Sequence, residues 1–157
     1  MREVFEIAPI GVIHSPYKTK EACPIQGRAD PEGAGRVEVF PEFAQGLETI
    51  ETFTHIFLFY IFDRAGQVIL SRPTFLDDTN HGIFASRHPC RPSGLGMSIV
   101  RLVARDGNIL DIKGVDALDQ TPLIDIKPYV PRFDLFPDAG NGWIEGLPLQ
   151  AKPKGRE

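Results

Sequence analysis

A chain of 157 residues, 42% of them hydrophobic, is long enough for one domain with its own core. Its net charge of −4, from 17 Lys and Arg against 21 Asp and Glu, advertises no strongly basic nucleic-acid face, though it leaves room for a local basic patch. Two cysteines, Cys23 and Cys90, are too few for a disulfide scaffold at this length and point to a reducing, cytoplasmic setting.

The opening stretch carries Glu3 and Glu6 and lacks the apolar core of a secretory leader. No apolar run reaches membrane-spanning length, the longest being IFLFYIF, so no membrane association is expected. Residues 4–13, VFEIAPIGVI, are β-branched and apolar enough for a strand, with Pro9 marking an edge or a bulge. Residues 14–36 read as a long loop of Pro, Gly and charge. VEVF (37–40) reads as a short strand. PEFAQGLETI (41–50) predicts one helix, with Pro41 in its first turn and Phe43, Leu47 and Ile50 on one face. HIFLFYIF (55–62) predicts a strand buried on both sides. Within residues 97–115, Asp106-Gly107 lies between two strand-like runs, which predicts a hairpin. PLIDIKPYV (122–130) predicts another strand. Residues 1–134 make one β-barrel domain in this reading, and the Pro/Gly-rich residues 135–157 a C-terminal tail.

The expected fold is mainly β: a single-domain closed or nearly closed β-barrel with few short helices. It is non-Rossmann, because the glycines of GAGRVEV precede their strand, the reverse of the dinucleotide-binding order. His14, His55, His81 and His88 show no metal-ligand spacing among themselves or with the cysteines, so no metal is expected. Hydrolase elbows and phosphate-binding loops are also missing from the pattern.

SRHPCRPSGLG (86–96) is unusual. Pro89 and Pro92 bias His88 and Arg91 towards extended backbone, which would put Arg87 and Arg91 on the same face. Guanidinium forks suit carboxylates and phosphates, and the following glycines permit a tight turn. An anion cradle and an ordinary proline-stiffened surface loop both fit these residues. In LIDIK, Asp125 and Lys127 share a strand face opposite Ile124 and Ile126. Such a pair can orient a substrate or move a proton, and it can equally be a solvated ion pair.

In order, IGVIHSPYK, CPIQG, FTHIFLFYIF, SRHPCRPSGLGMSIV and LDQTPLIDIKPYVPRFD resemble the TrmO (YaeB/TsaA-like) family over roughly residues 7–134. The resemblance implies a dimeric β-barrel that uses S-adenosyl-L-methionine near its subunit interface. It implies N6-methylation of threonylcarbamoyl-adenosine beside the anticodon of tRNA. By the same carry-over, Pro24, Ile25, Gln26, Asp63, Arg64, Arg87, Met97, Leu118, Asp119, Gln120 and Thr121 contact the cofactor. Asp125 and Lys127 are the candidate catalytic pair, and Arg91 and Tyr129 the candidate substrate contacts. The chain departs from the commonest family pattern at His88, Ser93 and Asp63-Arg64. Two alternatives stay open: a small-molecule acceptor on the same scaffold, which the net charge and the expected lack of the longer members' additional C-terminal domain favour, or a non-catalytic S-adenosylmethionine-binding protein.

Overall fold

In the computed structural model, which describes residues 2–148, the strands in chain order are β1 (Gly11–His14), β2 (Ala34–Val39), β3 (His55–Ile61), β4 (Ser71–Pro73), β5 (Asn80–Gly82), β6 (Leu95–Asp106), β7 (Ile109–Lys113) and β8 (Thr121–Pro128). Six of them close an antiparallel barrel in the order β1-β2-β7-β6-β3-β8, and β4 pairs with β5 outside it. The only α-helical turn among the described residues is α1 (Pro131–Asp134).

Period-two alternation is clearest in β6. Gly96, Ser98, Val100 and Leu102 point inward, while Leu95, Met97, Ile99 and Val103 stay exposed. The inward residues of the other strands complete one core, with Ile13, Val37, Ile56, Leu58, Leu110, Ile112 and Leu123 at its centre. Full burial of each such side chain is worth about 1.5–3 kcal/mol, so this core is the main source of stability.

The expected hairpin forms, and its turn is displaced by one residue. Asp106 pairs with Ile109 as the last rung, so the two-residue loop is Gly107-Asn108. Gly107 adopts φ +60, the backbone a hairpin turn of this length requires at its first central position. Asn108 then ties the turn to β2 by donating from its side-chain amide to the Val39 carbonyl at 2.6 Å.

Several local expectations are corrected. The N-terminal strand covers only Gly11–His14; Val4, Phe5 and Ile7 are exposed. Pro9 has no N–H to give a ladder, and the first pairing bond comes from Ile10 to the Leu123 carbonyl at 2.8 Å. The strand expected at 37–40 begins earlier, at Ala34. The expected helix over 41–50 is instead two 3-10 stretches, Pro41–Leu47 and Ile50–Thr52. Gly46 weakens it, and Thr49 breaks it in a left-handed conformation at φ 68. β3 is buried on its inner face only, because a closed barrel has a single interior: Ile56, Leu58 and Tyr60 are buried, and Phe57, Phe59 and Ile61 are half-covered outside. There Phe57 packs against Phe59 and Tyr129, with ring centroids 6.2 and 5.5 Å apart.

Candidate functional site

Beside the barrel, where β3 ends and β6 begins, lies a cavity of about 770 Å³. Five further stretches close around it: residues 20–26, residues 74–76, the loop carrying residues 84–91, residues 116–118 with Thr121, and residues 143–144. The size suits a cofactor-sized small molecule.

Its inner wall depends on a close approach between two strands. The ring of Tyr60 on β3 lies across Gly96 on β6; a Cβ at Gly96 would sit 2.7 Å or less from three of the ring atoms. The Tyr60 hydroxyl reaches Ser98 Oγ at 2.9 Å, and the Ser98 hydroxyl donates onward to Asp116. The other carboxylate oxygen of Asp116 accepts the Gly27 N–H at 2.8 Å. Desolvation raises the Asp116 carboxyl above its usual range, and burial likewise pushes the Tyr60 phenol up. Nearby, Tyr17 donates to Asp30 at 2.9 Å and is raised to about 12, first by burial and then by that bond.

The cationic residues are held differently. Arg87 donates to Gln26 Oε1 at 2.8 Å, joining two walls separated by 61 positions in sequence. Arg64 donates to Thr121 Oγ1 at 3.1 Å and to Asp63 at 3.0 Å, while Thr121 donates to the Leu118 carbonyl at 2.6 Å. Arg91 turns back on its own loop: one guanidinium nitrogen reaches the carbonyls of Ile83, Ser86 and His88 at 3.0–3.4 Å. The expected extended face shared by Arg87 and Arg91 is therefore not formed. The segment bends instead, with Arg91 N–H donating to Pro89 O and Gly94 N–H to Arg91 O. His88 Nδ1 accepts the Cys90 N–H at 3.1 Å, so in the neutral ring Nε2 carries the proton. Burial, then Arg72, Lys20 and Arg91, lower its pKa to about 4.

Pro24, Ile25, Gln26, Asp63, Arg64, Arg87, Arg91, Met97, Leu118 and Thr121 line the cavity. Asp119 and Gln120 stand behind it. Asp119 accepts the Ser15 N–H at 3.0 Å and an ion pair from Lys18, which holds its carboxyl below the usual range. Gln120, at φ 64, bonds His14 at 2.9 Å. Asp125, Lys127 and Tyr129 are not brought to the cavity of the same chain. A register shift in β8 between Leu123 and Asp125 leaves Asp125 and Lys127 on the outer face, where Lys127 lies 6.0 Å from the Phe59 ring centroid. The sequence reading missed Tyr60, Ser98, Asp116 and Trp143. Trp143 stacks on His81 at 3.7 Å between ring centroids and donates to the Ala85 carbonyl at 2.8 Å.

Fold and cavity together define a small antiparallel barrel with a cofactor-sized cavity at its side, assembled from loops and strand ends. Residues 12–135 match the family model described as the tRNA-methyltransferase O N-terminal domain, and the chain belongs to this TrmO family. It is 53% identical to a probable S-adenosyl-L-methionine-binding protein of Pyrococcus abyssi, across 87% of this chain and 74% of that one. It is 33% identical to the tRNA (adenine(37)-N6)-methyltransferase of Escherichia coli, across 92% of this chain and 66% of the relative. A crystal structure of TrmO superposes with a TM-score of 0.78 at 38% identity, covering 89% of this chain and 64% of that one. The chain thus spans just under two thirds of the solved TrmO chain, and 40% of a second relative, a probable S-adenosyl-L-methionine-binding protein of Archaeoglobus fulgidus.

Proposed function

We propose that this chain is an S-adenosyl-L-methionine-dependent N-methyltransferase acting on threonylcarbamoyl-adenosine next to the anticodon of tRNA, working in the cytoplasm as a homodimer. The observation that carries the reading is the cavity itself. It gathers Pro24–Gln26, Asp63-Arg64, Arg87, Met97, Leu118 and Thr121, which the family resemblance assigned to the cofactor from five separate segments.

The lining fits the group. Apolar walls from Ile25, Phe62, Phe75 and Leu118 suit an adenosyl moiety, Arg87 offers a guanidinium to a carboxylate, and Asp116 offers a buried carboxylate to a cation. When bound, S-adenosylmethionine supplies a methyl group activated on a sulfonium. The protein's part is positioning, since methyl transfer needs donor and acceptor in line. Gln26 orients Arg87, Thr121 orients Arg64, and Tyr60 with Ser98 fixes Asp116.

The dimer and the acceptor side belong together in this reading. Leu95 and Met97 line the cavity and also open an exposed row on β6 that runs through Ile99 and, past the charged Arg101, to Val103. A second copy on that face would cover apolar surface and close the cavity's side. Asp125, Lys127 and Tyr129 lie on the neighbouring outer face. They act on the acceptor where the second copy or the tRNA carries it there, with Asp125 taking the proton from the reacting nitrogen and Lys127 and Tyr129 holding the modified base. Arg91, at the cavity wall, holds the loop that receives the tRNA.

The test is methyl transfer from labelled S-adenosylmethionine to tRNA carrying or lacking the threonylcarbamoyl group, followed by nucleoside mass spectrometry. Incorporation confined to the carbamoylated tRNA is expected. Transfer to a small molecule alone, or binding without transfer to any acceptor, overturns the reading.

A further inference from the structure

We infer that Asp116 is the counter-charge by which the cavity tells the cationic methyl donor from its neutral product, so that the fold itself favours product release. The inference rests on the proposed use of S-adenosylmethionine, but not on tRNA as the acceptor.

Asp116 stands just after β7 and lines the cavity. The hydrogen bonds that reach its side chain come from neutral groups: the Ser98 hydroxyl, the Gly27 N–H and its own backbone N–H. With the Ser98 proton committed to Asp116, Ser98 Oγ accepts from the Tyr60 hydroxyl. Both hydroxyl protons of this chain therefore run towards the carboxylate, the arrangement that favours its charged form. Burial opposes that form more strongly, and Arg87 acts on it through space, more weakly than these hydrogen bonds. Among the described ion pairs, none includes Asp116. A buried carboxylate prepared by neutral donors is expensive until a cation joins it.

Other groups face the same point. Tyr60 comes from β3, Ser98 from β6, Tyr17, Cys23 and the Gly27 N–H from the loop after β1, and Arg87 from the loop before β6. The tyrosines are raised and stay neutral through the acid and neutral range. His88, which titrates near 4, is the other lining group with a resolved shift in the acid range.

A methylsulfonium completes this site. When its S–CH₃ bond breaks, the bonding pair stays on sulfur, the methyl joins the acceptor nitrogen, and the nitrogen's proton leaves to a base. Asp116 then faces a neutral thioether and regains its desolvation cost. That difference loosens the product relative to the donor.

The experiment compares calorimetric affinities of the wild-type protein and Asp116→Asn for three ligands: S-adenosylmethionine, neutral S-adenosylhomocysteine, and sinefungin, whose amine-bearing carbon replaces the methylsulfonium. In the wild type the two cationic ligands bind about tenfold or more tightly than the neutral one, from one opposing charge at close range. This preference shrinks as pH falls and Asp116 takes up its proton. Asp116→Asn brings the three affinities together and flattens the pH dependence, which separates Asp116 from His88. If Asp116→Asn does not fold, Ser98→Ala tests the same point. Losing its donated bond raises the Asp116 pKa further, so the preference appears only at higher pH. Equal weakening of all three ligands by Asp116→Asn places Asp116 on their shared amino acid and overturns the inference. So does an unchanged preference. Failure to methylate tRNA with the preference intact overturns the proposed acceptor and leaves this inference standing.

Discussion

The ring of Tyr60 occupies the space where any residue other than glycine at position 96 would place its Cβ. Gly96→Ala therefore forces the ring out of place and breaks its hold on Ser98, 2.9 Å away. Overpacking of this kind costs about 1–3 kcal/mol. Thermal unfolding should show a lowered midpoint, and ligand titration a weaker cofactor affinity. Tyr60→Phe combined with Gly96→Ala should not recover stability, because the clash is with the ring and not with the hydroxyl. Recovery in the double variant contradicts this account.

Arg87 and Arg91 should separate cleanly. Arg87 is exposed, and among the described residues its guanidinium bonds Gln26. Arg87→Ala should leave the melting temperature nearly unchanged and weaken cofactor binding by about tenfold to a hundredfold, the value of a charge-assisted hydrogen bond. Arg91 satisfies three carbonyls of its own loop. Arg91→Ala should lower stability and weaken cofactor and tRNA together. A loss of tRNA affinity alone, with a flatter salt dependence, would instead assign Arg91 to phosphate.

How much of this was legible depended on how far each residue's partners lie along the chain. The hairpin was readable because Gly107 and both its strands sit within residues 95–113, so turn chemistry and alternation agree locally. The 3-10 stretches after Pro41 were mistaken for a helix because Phe43, Leu47 and Ile50 keep helical spacing; the left-handed Thr49 between them has no sequence signature. Asp116 is one of two acids in VDALD (115–119), and nothing local distinguishes it from Asp119. Its meaning comes from Ser98 and Gly27, which lie 18 and 89 positions away. The Arg87 contact with Gln26 is equally nonlocal: the proline-stiffened loop marked Arg87 as a possible anion contact, while Gln26 entered the expected site through family resemblance alone.

Asp119 makes folding sensitive to acid. Its bonds from Lys18 and the Ser15 N–H depress its folded pKa below the ordinary aspartate value. Its contribution is present above the unfolded-state value, about 3.9, and is lost as pH falls through the folded-state value. Asp119→Asn should remove this part of the acid transition and leave stability at alkaline pH dependent on the remaining Ser15 contact. Denaturant melts across the acid range would check it. An unchanged acid limb in the variant would show that Lys18 and Asp119 do not couple to folding.

Trp143 provides a direct view of the cavity. It is the sole tryptophan of the chain, it lines the cavity, and it stacks on His81, which bonds Asp77 in turn at 3.0 Å. Its indole N–H is fixed on the Ala85 carbonyl, beside the loop that carries Arg87. A ligand entering the cavity must alter the surroundings of this ring, so S-adenosylmethionine should change the intrinsic fluorescence with a midpoint equal to the calorimetric affinity. Trp143→Phe keeps an aromatic face for His81 and loses the N–H bond. Trp143→Ala loses both, and an aromatic contact of this kind is worth about 0.5–1.5 kcal/mol beyond its buried area. Affinity should therefore fall from wild type to Phe to Ala, with faster ligand dissociation in the same order by stopped flow. Arg87→Ala should weaken binding without changing the fluorescence of the ligand-free protein, since the indole is held by Ala85 and His81. Equal affinities in all three proteins at position 143 would mean that residues 143–144 border the cavity without helping to retain what it holds.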